Sequence, residues 1–268
     1  MILRARLATA LVAVVGASLL SGPAGAAATA VYHPPIVAID ASQSSNWSGY
    51  NQGVLAVHHR FNSITGTWVV PTARQHTAGE QEFSSTWIGI GGGCVNTSCS
   101  VTDSTLIQEG TEQDVAANGT PSYHAWWELI PAPSVTIQGF AVHPGDVISA
   151  SISSQAQDVW VFKMTNKTTG KTFTKRTPYS STHATAEWIT ETPLIIGGNA
   201  GFAAMPNLGV VNMDLGTVNG ANPHLDPSQE VQLVPNGGVV ATPSSPDPDT
   251  DGFNDCVWAS SCAAPSGS

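Results

Sequence analysis

Short segments of alternating apolar and polar residues recur along the chain from about residue 44 onward. They are rich in Val, Ile, Thr, Trp and Tyr and are bounded by Gly, Pro, Asn or Ser, which is typical of strands joined by turns. After the N-terminal apolar run, no stretch has the 3.6-residue period of an amphipathic helix, and no internal repeat is visible. The pattern predicts an all-β domain, either a sandwich or a barrel. The predicted strands cover residues 65–70, 85–90, 105–113, 122–130, 134–142, 146–154, 158–166, 171–177, 183–191, 210–214 and 231–234.

Strand parity assigns two different faces to the segment 122–130. Its odd-numbered positions from Tyr123 to Leu129 are apolar, which predicts a surface that faces the core. Its even-numbered positions place the large aromatic ring of Trp126 beside the carboxylate of Glu128. A face of this mixed kind favours a binding surface.

Two polar residues occupy strand positions that need an explanation. Gln108 shares a face with Leu106 and Gly110, and burying its amide without partners would cost roughly 2–7 kcal/mol. Glu187 lies between partly apolar neighbours in the segment 183–191, where a carboxylate tends to have a raised pKa. Both positions suggest chemistry rather than packing.

The first 26 residues have the features of a secretory signal. Arg4 and Arg6 form a basic beginning, residues 7–20 are apolar, and residues 24–26 offer an A-x-A cleavage site. The apolar run of about 14 residues is short for a transmembrane helix. We therefore expect export and release, without a membrane anchor.

Residues 27–43 are Ala-rich and then Pro-containing, with no alternation, and we call them the leader. The pattern predicts a flexible leader or a short pro-segment. The single folded domain is expected to cover residues 44–268.

The chain is poor in charge, since only 10% of its residues are charged. Without Arg4 and Arg6 it has 7 basic residues against 19 acidic ones, a net charge of −12 at neutral pH. Such a surface argues against nucleic acid or anionic lipid as a partner. Few ion pairs are lost when carboxylates become protonated, so the composition favours tolerance of acid.

The four cysteines form two close pairs, Cys94/Cys99 and Cys256/Cys262. In an exported protein this spacing favours a local disulfide within each pair, although three connectivities are formally open. A zinc site would require ligand spacing such as C-x-x-C, which is absent.

Two further motifs suggest ligands, and a turn explains each of them better. Residues 166–172 resemble a phosphate loop, but Thr165 stands where the first Gly is needed, which favours a hairpin turn. Residues 247–252 resemble the start of a calcium loop. The bidentate Glu expected six residues later is Trp258, so a tight polar turn before a last strand is favoured over calcium.

The sequence lacks the local motifs of several common enzyme classes. It has no G-x-S-x-G elbow, no H-E-x-x-H and, after residue 26, no G-x-G-x-x-G. A Ser/His/Asp triad stays open, since its members need not be neighbours in sequence. We expect neither a metal nor a cofactor.

The eight tryptophans are many for an exported domain. Trp68, Trp127, Trp160 and Trp188 are interpreted as core residues of the sandwich.

Six short segments, taken together, resemble one known family, the glutamic peptidases or eqolisins, in their bacterial form. The matching segments are Asn46-Trp47-Ser48-Gly49, Thr65-Gly66-Thr67-Trp68-Val69-Val70-Pro71, Thr86-Trp87-Ile88-Gly89-Ile90-Gly91, Leu106-Ile107-Gln108-Glu109-Gly110, Tyr123-His124-Ala125-Trp126-Trp127-Glu128 and Ala186-Glu187-Trp188-Ile189. Each motif alone is weak, but six in the same order are specific.

The resemblance implies a concanavalin-like or jelly-roll sandwich of two antiparallel sheets, each of about seven strands, with a cleft on one concave face. It implies that Gln108 and Glu187 form the catalytic pair. It also places Trp47, Trp87, Trp126 and Glu128 at the substrate, and Glu112 behind them as a hydrogen-bonding acid. Two features depart from the family pattern, Ile130 in place of a cleft Tyr and a longer loop around Cys94 and Cys99.

The expected activity is therefore that of a secreted, monomeric endopeptidase that acts on proteins in acid. Glu187 would serve as general base and then acid, and the Gln108 amide would stabilise the oxyanion. Two alternatives use the same residues differently. One is a non-enzymatic carbohydrate-binding sandwich, and the other is a glycosidase with Glu128 and Glu187 as paired carboxylates.

Overall fold

The structure is a computed structural model that describes residues 30–196 and 200–267. The predicted signal at residues 1–26 lies outside the described residues. Strands dominate what is described, together with one short helix, α1 (Val54–Val57), and two 3₁₀ turns, Pro227–Gln229 and Pro235–Gly237. The strands in chain order are β1 (Ala30–Tyr32), β2 (Gln43–Ser44), β3 (Trp47–Gly53), β4 (Ser63–Val69), β5 (Ser85–Gly91), β6 (Leu106–Val115), β7 (Pro121–Leu129), β8 (Val135–Thr136), β9 (Val147–Ala156), β10 (Val159–Asn166), β11 (Lys171–Pro178), β12 (Thr185–Glu191), β13 (Leu194–Ile196), β14 (Gly201–Phe202), β15 (Val210–Val218), β16 (Glu230–Leu233), β17 (Ala241–Pro243) and β18 (Phe253–Val257).

Most of these strands form two antiparallel sheets of similar size, while β1, β13 and β14 form a small separate sheet and β2 pairs in parallel with β16. The front sheet has the order β16-β3-β12-β5-β6-β7-β8, and the back sheet has the order β11-β10-β9-β4-β15-β18-β17-β16. Strand β16 pairs with both β3 and β17, so it joins the two sheets along one edge. The predicted β-sandwich of two antiparallel sheets is confirmed.

The core lies between the two sheets and contains the tryptophans that the sequence assigns to it. Trp68, Trp160 and Trp188 are buried there, while Trp127 is partly buried and packs against the same cluster. Burying an apolar side chain of this size contributes roughly 1.5–3 kcal/mol. A side-chain hydrogen bond also connects the two sheets, since Trp68 Nε1 in β4 donates to Thr111 Oγ1 in β6 at 2.9 Å.

Most predicted strands are present with shifted ends, and one prediction is largely wrong. Within 134–142 only Val135–Thr136 pairs as a strand. A turn at Gly139, with φ of 71°, reverses the chain there. Phe140 and Val142 are still buried in the core. The apolar residues of this segment are therefore explained by burial and not by strand pairing.

The sequence analysis missed β3, which lies between β16 and β12 in the front sheet. Its residues Trp47–Gly53 are all buried and do not alternate between apolar and polar positions.

The two disulfides are those that the spacing favours, Cys94–Cys99 and Cys256–Cys262. The motif at 166–172 forms the turn between β10 and β11, in which the Asn166 side chain accepts from the backbone N–H groups at 168 and 169.

The described part of the leader, residues 30–43, makes ordered contacts with the folded domain. Strand β1 pairs with β13, and Ile36 N donates to the Gly92 carbonyl at 2.9 Å. Asn46 fixes the next part of the leader, since its Oδ1 accepts from Val37 N at 2.8 Å. The leader therefore packs on the front sheet. Across the described ranges no helix is long and apolar enough to cross a membrane.

Candidate active site

The strand register brings Gln108 and Glu187 to one face of the front sheet. Strand β5 lies between β6 and β12, and Gly89 is paired with Gln108 on one side and with Glu187 on the other. Paired residues project to the same face. Two strand spacings separate the Cα atoms of Gln108 and Glu187, a distance of about 10 Å. Glu128 continues this row beyond Gln108, and Asn51 continues it beyond Glu187. We call these five residues the central row.

Gly89, between the two polar residues in the register, has no side chain of its own. A Cβ added there would lie 2.8 Å from the Trp87 ring and 3.1 Å from Leu106. The close packing of Trp87 and Leu106 therefore requires glycine at this position.

Gln108 is fully buried, and its amide is oriented by two acceptors. Nε2 donates to Glu128 Oε2 and to the backbone carbonyl of His33, both at 2.8 Å. Burial raises the pKa of Glu128 to about 9, although the hydrogen bond from Gln108 opposes this. Glu128, predicted to touch substrate, thus holds the Gln108 amide toward the position that the His33 carbonyl occupies.

Glu187 is also fully buried, and neither of its carboxyl oxygens has a hydrogen-bond partner of good geometry among the described residues. Burial is the main reason that its pKa is well above the ordinary value; the Thr185 hydroxyl opposes the rise and the Asp103 carboxylate adds to it. The raised direction agrees with the sequence expectation. An ionised Glu187 in this setting is a strong base, and its protonated form retains a proton that it can donate.

The Cys94–Cys99 loop packs directly over Glu187. A Cβ added at Gly93 would lie 2.6 Å from Glu187 Oε1 and 2.1 Å from Asn51 Oδ1. Asn51 Oδ1 also accepts from the backbone N–H of Cys94. The longer loop that departs from the family pattern is therefore a wall of the site.

The three tryptophans predicted at the substrate lie together beside the central row. Trp47 and Trp87 meet edge to face with ring centroids 5.0 Å apart. Trp126 Nε1 donates to Ser85 Oγ at 3.1 Å, and Gly110 separates Trp126 from Trp87 in the register. All three rings are fully buried in one apolar cluster, which Ile130 also joins.

On the same face, beyond the row that contains Trp87, Gly110 and Trp126, lies a third row of paired residues. It contains two buried acids, Glu112 and Glu191, which both pair with Ser85. Burial raises the pKa of Glu112 to about 8. Burial likewise raises the pKa of Glu191 to about 7, while the neighbouring His33 opposes that rise. Glu191 Oε2 also accepts from Trp87 Nε1 at 2.9 Å.

The sequence analysis predicted Glu112 but missed Glu191 and His33. Glu191 lies four residues after Glu187 on the same strand, so parity alone would have placed it on the same face. No sequence signal identifies His33, because its position depends on where the leader packs.

The site is not an open cleft in this structure, because the leader covers it. The described leader residues Tyr32, Ile36 and Ala38 pack with the tryptophan cluster. His33 is fully buried against Gln108 and the third row. A peptide substrate has no access to the central row while the leader is in this position.

The buried acids predict that stability falls as the pH rises. The carboxyl groups whose pKa burial raises to a value between about 7 and about 9 are Glu109, Glu112, Glu128, Glu191 and Asp255. Each stays protonated in the folded protein at a pH where the unfolded chain has released the proton. Their contribution to the free energy of unfolding is complete below the pKa values of the unfolded chain, near 4. It is lost as the pH rises through the pKa values of the folded protein.

We therefore expect the Tm to be highest below about pH 4 and to fall by several degrees toward pH 9, since 1 kcal/mol corresponds to about 2–4 °C for a domain of this size. Scanning calorimetry from pH 3 to 9 measures this. Glu109→Gln removes one titrating group that faces the core, and it should flatten the upper part of the fall. A Tm that rises from pH 4 to pH 8 would contradict the expectation.

Three comparisons with known proteins are consistent with this arrangement. The sequence profile of the Peptidase A4 family matches residues 45–250. Aspergillopepsin-2 of Aspergillus niger is 24% identical over 169 residues, which cover 55% of this chain and 56% of the relative, so the match spans about half the length of that relative.

Among solved structures, scytalido-glutamic peptidase with a transition state analog inhibitor is similar with a TM-score of 0.63 and 20% identity, covering 80% of this chain and 98% of the other. Aspergilloglutamic peptidase from Aspergillus niger is similar with a TM-score of 0.54 and 20% identity, covering 66% of this chain and 99% of the other.

Proposed function

Because the chain belongs to the Peptidase A4 family, we propose that it is a secreted endopeptidase that cleaves proteins in acid with Gln108 and Glu187. The observation that carries the proposal is the register. Both residues pair with Gly89, so an amide donor and a carboxyl group lie on one face, on either side of a residue without a side chain. The proposal includes removal of a signal at 1–26, a pro-segment within 27–43 and a monomeric domain over 44–268.

In this mechanism Glu187 begins as a carboxylate. It takes a proton from a water molecule while the water oxygen forms a bond to the scissile carbonyl carbon. The carbonyl oxygen becomes an oxyanion and accepts a hydrogen bond from the Gln108 amide. Glu187 then passes its proton to the amide nitrogen as the C–N bond breaks, which releases an amine and a carboxylic acid.

Glu128 supports the proposal as a positioning residue. Its carboxyl oxygen accepts from Gln108 Nε2 at 2.8 Å, which leaves the second amide hydrogen directed into the cleft, where the His33 carbonyl now accepts it. An amide held in advance stabilises a developing oxyanion without reorganising during the reaction.

Acid conditions suit these groups. The raised pKa values of Glu112 and Glu191 keep these neighbours neutral in mildly acidic medium, so the Glu187 carboxylate that begins the reaction is not crowded by further negative charge. A carboxyl group and an amide perform the proton transfers and the oxyanion stabilisation without histidine.

The test is hydrolysis of acid-denatured protein from pH 2 to 7 by the secreted protein, with its N-terminus mapped by mass spectrometry before and after incubation. We expect cleavage in acid by the wild type and none by the double variant Gln108→Ala/Glu187→Gln. Equal hydrolysis by both proteins at every pH would refute the assignment of these two residues.

Neither alternative function has comparable support. Of the eight tryptophans, all within the described residues, only Trp258 is exposed, at 36%, and it does not belong to the tryptophan cluster beside the central row. Glu128 and Glu187 are three strand spacings apart, about 14 Å between Cα atoms, and Gln108 lies between them. This arrangement does not favour a pair of glycosidase carboxylates.

A further inference from the structure

The geometry points to a calcium site on the back sheet, formed by Asp214, Asp247 and Asp251. Asp214 belongs to β15, and the other two acids belong to the turn before β18. One carboxylate oxygen from each lies within 4.8 Å of the others. Because Ca²⁺ holds its oxygen ligands at about 2.3–2.6 Å, ligands on one ion lie up to about 5 Å apart. The three carboxylate oxygens can therefore share one ion.

Asp247 directs an unpartnered carboxylate oxygen into this cluster. The residue is only 4% exposed. Its Oδ1 accepts from the backbone N–H of Asp251 at 3.1 Å, whereas its Oδ2 has no hydrogen-bond partner among the described residues. Asp251 Oδ1 likewise has no partner there. A buried carboxylate oxygen without a partner is costly, and a cation is a partner that satisfies it.

No cationic side chain balances the charge of the cluster. Within residues 30–196 and 200–267, none of the three acids forms an ion pair with a Lys, Arg or His side chain. A fourth acid, Asp249, is exposed in the same turn and adds negative charge. Carboxylates this close repel each other, and a bound divalent cation removes that repulsion.

A glycine makes room for the acids where β15 and β18 meet. The two strands pair Met213 with Phe253. The next pair in this antiparallel register is Asp214 with Gly252. A Cβ added at Gly252 would lie 2.6 Å from Asp247 Oδ2 and 2.9 Å from Asp214 Oδ1. A side chain at this position would collide with both carboxylates, so the cluster requires glycine.

A bulge in β15 brings Asp214 to the turn. The register with β4 shifts directly after this residue. Inside the bulge Leu215 has φ of 53°, and Gly216 N donates to the Asp251 carbonyl at 3.0 Å. Bulges redirect side chains and are frequent beside functional sites. The third acid of the site thus comes from another strand, and not from the position that Trp258 takes in the calcium-loop pattern.

The ligand chemistry selects calcium among the common cations. All the side-chain ligands are oxygens, which hard cations prefer, whereas zinc is bound mostly by nitrogen and sulfur. Ca²⁺ accepts about six to eight oxygens in flexible geometry, and water can supply the rest because Asp214 and Asp251 are only half-buried. Mg²⁺ demands near-octahedral geometry and gives up its own water reluctantly.

Binding is tested on the exported protein at pH 7, after removal of metal with EDTA, by equilibrium dialysis against radioactive Ca²⁺. We expect one ion per chain with a Kd on the order of 10⁻⁴–10⁻³ M, as in extracellular calcium modules. The Tm should be at least about 3 °C higher in ~10 mM CaCl₂ than in the same concentration of MgCl₂. Failure to retain Ca²⁺, or an equal Tm shift with Mg²⁺, would overturn the site.

Substitutions separate these acids from the rest of the acidic surface. Asp214→Asn and Asp251→Asn each remove one ligand charge and keep the size of the side chain. Each should weaken Ca²⁺ binding at least about tenfold and abolish the Tm shift. Asp158→Asn is the matched control, because Asp158 lies in the turn between β9 and β10, and it should bind Ca²⁺ like the wild type. Wild-type binding by all three variants would place the ion elsewhere and refute the assignment.

Terbium luminescence gives a readout close to the acids. Tb³⁺ occupies calcium sites and emits when a nearby indole absorbs light. Such an indole is present, since a Cβ added at Gly216 would lie 3.3 Å from Trp188 Nε1 and 2.7 Å from the Asp251 carbonyl oxygen. We expect tryptophan-sensitised emission that Ca²⁺ displaces and that Asp251→Asn loses. Equal emission from Asp251→Asn would contradict the site. None of these measurements involves hydrolysis, so the calcium site and the proposed function are tested separately.

Discussion

Glu187→Gln is expected to lower kcat for peptide hydrolysis by about a thousandfold, within the range of 10²–10⁴ that general acid–base catalysis contributes. The substitution keeps the size and polarity of the side chain, but it removes the group that takes and returns the proton. Because Glu187 is buried with a raised pKa, replacing it by a neutral amide should leave the Tm in acid within a few degrees of the wild type. Initial rates against a quenched fluorescent peptide at pH 3–4, with the leader removed or displaced, measure the effect.

The matched control for Glu187 is Glu109→Gln. Glu109 is equally buried in the front sheet and also has a raised pKa, but it faces the core, where its Oε1 accepts from Ser151 N at 3.0 Å. We expect this variant to retain most of the activity. If the two variants lose activity to the same extent, the loss reports a disturbed sheet, and Glu187 is not the base.

Gln108→Ala is expected to reduce kcat by about 10²-fold, since loss of one oxyanion donor costs on the order of 3 kcal/mol. The Gln108 amide acts on charge that develops in the transition state, so kcat should fall with little change in KM. An amide does not titrate in this range, so the shape of the pH profile should stay that of the wild type. Steady-state kinetics from pH 2 to 6 separate these quantities.

The control for Gln108 lies on the same strand. Gln113 is fully buried on the opposite face, and its Nε2 donates to the Thr111 carbonyl at 2.8 Å. Gln113→Ala should lower the Tm without a comparable fall in kcat. An unchanged kcat in Gln108→Ala, with a pH profile like that of the wild type, would contradict the role of the amide.

Period-two alternation predicted most strands of the sandwich, because one face of each strand meets an apolar core. It failed at 47–53, where both faces are covered, and at 134–142, where a turn at Gly139 buries apolar residues without pairing them. Cysteine spacing was sufficient for the two disulfides, since each connects residues only five or six positions apart.

For the candidate site, local residues and family resemblance selected Gln108 and Glu187 as the proposed pair, but not what surrounds them. Parity assigned each residue to a face of its own strand. It could not say that β5 lies between those strands, or that Gly89 pairs with both residues.

The sequence by itself determined most of the strands, the paired cysteines and the polar residues proposed to carry the chemistry, because these depend on local periodicity and residue type. Only the tertiary structure decided what covers the cleft and which acids meet. His33 reaches Gln108 across 75 positions, and Asp214 joins Asp247 from another strand. Such contacts depend on strand order and on the packing of the leader, and neither has a period or a spacing that can be recognised along the chain.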